Sequence, residues 1–234
     1  MGEAEIPQRV RVYEADVSKL EDRQLYEKLL GLIPPQRKDA VLWLKRDSAR
    51  HLSLGASLLL RTALLETGIT EKNVEICKNE YGKPYLRDYP QIHFNLSHSG
   101  RRALCAIWRK PVGCDIELIR DGGMEKVLRC LTPAEQAQVK DNRDFFRIWT
   151  LKESFLKAAG TGLHMPLDSF EVSLNPLSLS CHESVRQRGL RMQTSGYFLQ
   201  EWTGMESYCR SACAADGVFE DRIRLVDFSV MAGS

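Results

Sequence analysis

Residues 111–120 read PVGCDIELIR, and the organisation of the whole chain follows from them. Val112, Cys114, Ile116 and Leu118 alternate with Gly113, Asp115 and Glu117, the period of a strand whose two faces differ. Pro111 cannot donate to a sheet ladder, so with Lys110 it reads as a joint.

Upstream of that joint, RVRVYEA at 9–15 alternates as a strand, and Ser18 stands as the N-cap of an amphipathic helix that runs to Leu30 and is ended by Pro34 and Pro35. A long helical pattern follows from about Gln36 to Glu66, closed by Gly68. Short β-leaning segments come next at 74–77, 93–96 and 103–108, separated by the turn-rich EYGKP and SHSGRR. Downstream the order repeats: the strand at 112–118, a turn at Gly122 and Gly123, short helices, and a long helix over 144–159. Segments of β character at 170–174, 197–202, 208–214 and 223–228 close the chain. This order predicts an α+β protein of two similar halves, 1–110 and 111–234. Each half is expected to be a long helix packed on a small, mainly antiparallel sheet, the two being pseudo-twofold related. No repeat in the sequence itself supports the duplication; it rests on the order of elements.

With 234 residues, 43% hydrophobic and 27% charged, the chain can bury a substantial core, and its formal net charge of +2 leaves no general nucleic-acid footprint. The first twenty residues are too charged for a signal peptide, and the longest apolar stretch, Leu52–Leu65, is interrupted by Arg61 and falls short of the roughly 18 residues that span a bilayer. Seven scattered cysteines without a CxxC pair point to free thiols in a reducing, cytoplasmic setting.

A strand places Asp115 and Glu117 side by side on one face. Two like charges in an apolar segment need water, a base or a cation, and a hard ion such as Mg²⁺ suits them; a solvated edge face is the commoner explanation of such a pair. On the second long helix Trp149, Glu153 and Lys157 recur at i and i+4 and form one stripe. It reads either as a surface ion pair or as a metal ligand or base beside a cation that offsets charge on phosphate. His98 sits among Ser97, Ser99 and Gly100, where hydroxyls, backbone N–H groups and an imidazole could meet a phosphate; Lys83 is held in a Gly-Pro turn. Glu135 is explained by a capping box, with Thr132 as the cap and Pro133 at the first helical position. Phosphate-loop, dinucleotide, zinc-protease and serine-hydrolase signatures are absent.

Together, EYGKPYLRDYPQIHFNLSHSG at 80–100, VGCDIEL at 112–118, WTLKESFLKAAGTGL at 149–163 and MPLDSF at 165–170 resemble the phosphopantetheinyl transferases, in their larger two-lobed, monomeric type. The resemblance implies Mg²⁺-dependent transfer of the 4′-phosphopantetheine arm of coenzyme A to a serine of an apo acyl or peptidyl carrier protein, releasing adenosine 3′,5′-bisphosphate, with the coenzyme A cleft between the halves. It implies Asp115, Glu117 and Glu153 as metal ligands, Glu153 also as the base for the carrier serine, and Lys157 as the cation on the phosphates. Lys83, Ser97 and His98 match positions that hold the adenosine and its 3′-phosphate. Arg50 and His51 compete for the place of an early phosphate-binding arginine. Carrier docking falls on Met124, Val127 and Leu128. The carriers implied serve nonribosomal peptide and polyketide synthesis; no membrane or nucleic-acid partner is implied. The rival readings are a binding module that has lost turnover and a Mg²⁺-dependent phosphohydrolase.

Overall fold

The structure is a computed structural model and describes residues 5–70, 74–122, 124–181 and 194–231. Gly123 of the expected Gly-Gly turn lies outside them, and Gly122 takes a positive φ of 77°. The first strand, β1 (Arg11–Asp16), runs into a 3₁₀ turn. Ser18 is not a helix cap: the Asp16 carboxylate accepts from its backbone N–H, and Asp22 caps α1 (Arg23–Leu30) by accepting from the N–H groups of Gln24 and Leu25.

The expected single helix over 36–66 is two, α2 (Pro35–Trp43) and α3 (Asp47–Leu65), because Leu44 and Arg46 adopt extended backbone. On one straight helix Arg37 and Ser57 would stand roughly 30 Å apart. Instead the Arg37 guanidinium donates to Ser57 Oγ at 2.8 Å, so α2 doubles back along α3. The hairpin of β2 (Ile76–Lys78) and β3 (Pro84–Leu86) turns through the EYGKP stretch, and β3 is a short strand that the sequence pattern does not mark. Then follow β4 (His93–Ser99), β5 (Arg102–Trp108) and β6 (Val112–Leu118).

The second half continues with α4 (Glu125–Leu128), α5 (Pro133–Gln138) and α6 (Asn142–Ala159). Asp141 caps the start of α6, and Gly160 ends it in the left-handed conformation at φ 77°. A hairpin of β7 (Phe170–Leu174) and β8 (Leu177–Cys181) comes next, then β9 (Tyr197–Glu201) and β10 (Tyr208–Ala215). Only Arg224–Leu225, β11, is strand in the expected 223–228 segment, and Phe228 begins the short helix α7 (Phe228–Met231).

One sheet has the order β11-β1-β5-β4 and another β6-β10-β9. The β1-β5-β4 and β6-β10-β9 trios are both fully antiparallel, and in each the first strand of its half pairs with the last of the trio. Leu54, Leu58 and Leu59 of α3 bury one face of the first sheet with Tyr13, Phe94 and Ile107. Its opposite face, Val12, Leu104, Ala106 and Trp108, meets Val112, Cys114, Ile116 and Ala212 of the second sheet in one core. The second sheet is covered by α6, through Phe145 and Leu151 against Cys209 and through Phe155 and Leu156 against Cys213. Residues beyond the second sheet return to the first half. β11 runs parallel to β1, and Phe228 is buried in the core under α3.

Candidate active site

Gly113, Asp115 and Glu117 face α6, while Cys114 and Ile116 face the core between the sheets. A Cβ on Gly113 would stand 2.1 Å from the Ser154 carbonyl and 2.4 Å from Ala158 N, so glycine is what allows α6 to lie directly on β6. That close approach delivers Glu153 and Lys157 to the two strand acids.

Lys157 Nζ donates to Asp115 Oδ1 at 2.6 Å, to Ser97 Oγ at 3.1 Å and to the Cys114 carbonyl at 3.1 Å. Ser97 Oγ donates to the same Asp115 Oδ1 at 2.7 Å. Asp115 is only 4% exposed, and its second oxygen, Oδ2, is buried with no hydrogen-bond partner among the described residues. Glu117 Oε2 accepts from Ser99 Oγ at 2.7 Å.

Burial raises the Glu153 carboxyl above the ordinary carboxylate range; the Lys157 ammonium opposes the rise, and Asp115 and Glu117 add to it. Glu117 is raised by burial and by Asp115, against a hydrogen bond from Ser99. Burial alone would lower Lys157, but Asp115 beside it carries the net shift upward. His98 is open to the cleft, yet the protein crowding around it pulls its imidazole below the usual value, and Lys157 adds to the effect. These groups border a cavity of about 550 Å³, whose far wall comes from Arg37, Ser53 and Ala56 of the first half.

A family model described as the 4′-phosphopantetheinyl transferase superfamily matches residues 111–202. A 4′-phosphopantetheinyl transferase of Bacillus subtilis is 32% identical over 206 residues, covering 85% of this chain and 89% of the relative. The chain belongs to the 4′-phosphopantetheinyl transferases. Another relative, the 4′-phosphopantetheinyl transferase Sfp of Bacillus subtilis strain 168, is 29% identical over 212 residues, covering 86% of this chain and 91% of its own length. A third, the 4′-phosphopantetheinyl transferase gsp of Aneurinibacillus migulanus, is 34% identical over 161 residues, 66% of this chain and 67% of the relative.

Within this phosphopantetheinyl transferase chain, Asp115, Glu117, Glu153, Lys157, Ser97 and His98 share one cavity. Arg50 does not join them. Its guanidinium donates to the Leu44 carbonyl at 2.7 Å and to Asp47 at 3.2 Å, and with His51 it borders a separate cavity beside Tyr26. Arg37 lines the cavity of the acids instead, brought there by the break between α2 and α3. No local signal marks that break, since 44–46 contain neither glycine nor proline.

Lys83 also lies apart. It borders a smaller cavity with His93, donates to the Val112 and Ala158 carbonyls at 3.1 and 3.0 Å, and is lowered by burial to about 8. It therefore ties the β2–β3 hairpin to the place where β6 begins and α6 ends. Glu135 forms the expected capping box with Thr132 and also takes the Lys152 ammonium at 2.5 Å, both side chains being 0% exposed. Lys152 donates to the Phe170 carbonyl as well, so this pair joins α5, α6 and β7. Met124, Val127 and Leu128 pack half-buried against the second-half core.

Proposed function

We propose that the chain transfers the 4′-phosphopantetheine arm of coenzyme A to a serine of an apo acyl or peptidyl carrier protein, releasing adenosine 3′,5′-bisphosphate. The observation that carries this reading is the meeting of Asp115, Glu117, Glu153 and Lys157 in one cavity between the halves. Such a set suits a pyrophosphate with its counter-ion, and phosphoryl transfer depends chiefly on positioning and charge stabilisation.

Among the described residues, no three His, Cys, Asp or Glu side chains already form a ligand set. The residues nonetheless fit Mg²⁺: Asp115 Oδ2 is buried with no partner among the described residues, and burial together with the Asp115 charge raises the Glu117 and Glu153 carboxyls. Asp115, Glu117 and Glu153 are the oxygen donors that would hold the ion. When bound, it neutralises pyrophosphate oxygens and makes the bisphosphate a better leaving group.

The protein's own residues do the rest. Glu153, its carboxyl raised above the ordinary range by burial, accepts the proton of the carrier serine, whose oxygen attacks the phosphorus attached to pantetheine. The bridging P–O bond breaks, and Lys157, with Arg37 on the cavity wall, offsets charge on the departing phosphates, to which the His98 ring donates a hydrogen bond. Ser97, on the wall of the same cavity, belongs to this reading as a contact for the adenosine end, whereas Lys83 and Arg50 border separate cavities.

The two antiparallel trios of like strand order support a pseudo-twofold duplication that divides near Pro111. A cleft completed within one chain supports a monomer, and seven free cysteines support a reducing, cytoplasmic setting. Among the described residues no helix is long and apolar enough to cross a membrane. Met124, Val127 and Leu128, half-exposed beyond the end of β6, are the apolar surface for the carrier, of the nonribosomal peptide or polyketide class.

Intact-mass spectrometry of an apo carrier domain with this protein, coenzyme A and Mg²⁺, beside an EDTA control, tests the proposal. Addition of one arm only with metal present is expected. No addition to several carrier types by folded protein overturns it.

A further inference from the structure

Among the described residues β6 is the edge strand of its sheet, with β10 as its one ladder partner. An exposed row of N–H groups on such an edge must be satisfied otherwise. Here β4 of the other sheet satisfies them with side chains instead of backbone. Asn95 Oδ1 accepts from Cys114 N at 2.9 Å, Ser97 Oγ from Ile116 N at 3.4 Å, and Ser99 Oγ from Leu118 N at 3.1 Å. The three acceptors alternate along β4, so they project from one face and match the two-residue repeat of β6.

The two serines then use their protons on the residue before each donor: Ser97 on Asp115, Ser99 on Glu117. Asn95 has no such task, because the corresponding residue is Gly113. Ser99 itself is partly buried and belongs to the first half, whereas its carboxylate partner belongs to the second.

We propose that Ser99 is a positioning residue for the transferase reaction, fixing the Glu117 carboxylate through its Oε2 so that the acid presents its other oxygen to a divalent cation. This inference rests on the proposed function. Its physical content is that one hydroxyl is anchored on the Leu118 N–H and therefore cannot follow Glu117 if that side chain swings away. Carboxylates that ligate metals are themselves held by such hydrogen bonds, whose loss weakens metal binding about 10–100-fold.

The test is Mn²⁺ uptake by the full chain in the presence of coenzyme A, followed by electron paramagnetic resonance, for wild type, Ser99→Ala, Ser99→Thr and Asn95→Ala, with a melting temperature for each. Ser99→Ala is expected to weaken Mn²⁺ binding about 10–100-fold. Ser99→Thr, which keeps the hydroxyl, is expected to restore it. Asn95→Ala removes the same kind of strand anchor and is expected to lower the melting temperature while keeping Mn²⁺ affinity. Wild-type affinity in Ser99→Ala, an equal loss in Asn95→Ala, or no restoration by threonine overturns the inference. Should Asn95→Ala fail to fold, the alanine and threonine variants at 99 decide alone. Absence of Mn²⁺ uptake by wild type brings down the metal reading and this inference together; uptake by wild type and by Ser99→Ala alike removes only the inference.

Discussion

Lys157 Nζ on α6 lies 2.6 Å from Asp115 Oδ1 on β6, and the other oxygen of that carboxylate is buried with no partner among the described residues. One acid is thus shared between a resident cation and an unfilled demand. Asp115→Asn is expected to lower carrier loading at least about 100-fold, the scale seen when a preorganised charge is removed from an active site. Near-native circular dichroism should accompany the loss, because Lys157 keeps Ser97 and the Cys114 carbonyl as acceptors. Loading by mass spectrometry at saturating Mg²⁺ is the check; a wild-type rate contradicts the assignment.

Glu153 carries opposed demands of stability and chemistry. Its folded-state pKa is raised, so over the interval from about 4.3 up to that value the native state binds more protons than the unfolded one. Stability therefore falls as pH rises through the interval. Glu153→Gln is expected to melt above wild type at pH 7–8 when no metal or coenzyme A is added, with about 2–4 °C gained per kcal/mol of repulsion relieved. The difference should vanish near pH 4, and the variant should not load carrier. A lower melting temperature than wild type at pH 7 counts against the electrostatic account.

The Lys152–Glu135 pair predicts the reverse pattern, a structural loss without a chemical one. Lys152→Met leaves a buried carboxylate whose remaining partners are the N–H groups of Thr132 and Val172. Breaking a buried pair costs about 3–5 kcal/mol, on the order of 10 °C in a chain of this size. Adding Glu135→Gln should recover much of it. Thermal melts of the single and double variants measure the coupling, and equal melting temperatures for both rule it out.

At Gly113 packing and site geometry are inseparable. Gly113→Ala forces a methyl group into the backbone of α6, and overpacking of this kind costs about 1–3 kcal/mol or more. The helix must move off β6, carrying Glu153 and Lys157 away from Asp115. Loading is expected to fall further than the fraction of folded protein does, which paired activity and denaturant-melt measurements resolve.

Much of this site can be read from the chain because it is built on local periods. The alternation in 112–118 is enough to place Asp115 with Glu117, and the i, i+4 spacing in 149–157 is enough to align Glu153 with Lys157. What the sequence conceals is non-local. Arg37 reaches the cavity only because Leu44 and Arg46 leave the helix in a segment whose pattern is helical throughout. Arg50, which competes with His51 for that place in the sequence, is instead absorbed by the carbonyls that the same break exposes. The role of Ser99 depends on β4 lying along the edge of β6, a pairing that no local pattern encodes.

The return of the chain to its first sheet has a consequence for synthesis. The core under α3 contains Tyr13 near the beginning and Phe228 near the end, with β11 laid beside β1. A ribosome releases these two in that order, with most of the chain emerging between them. The amino-terminal core must therefore wait, partly uncovered, through translation of the half that follows, and the two halves reach their final packing only together.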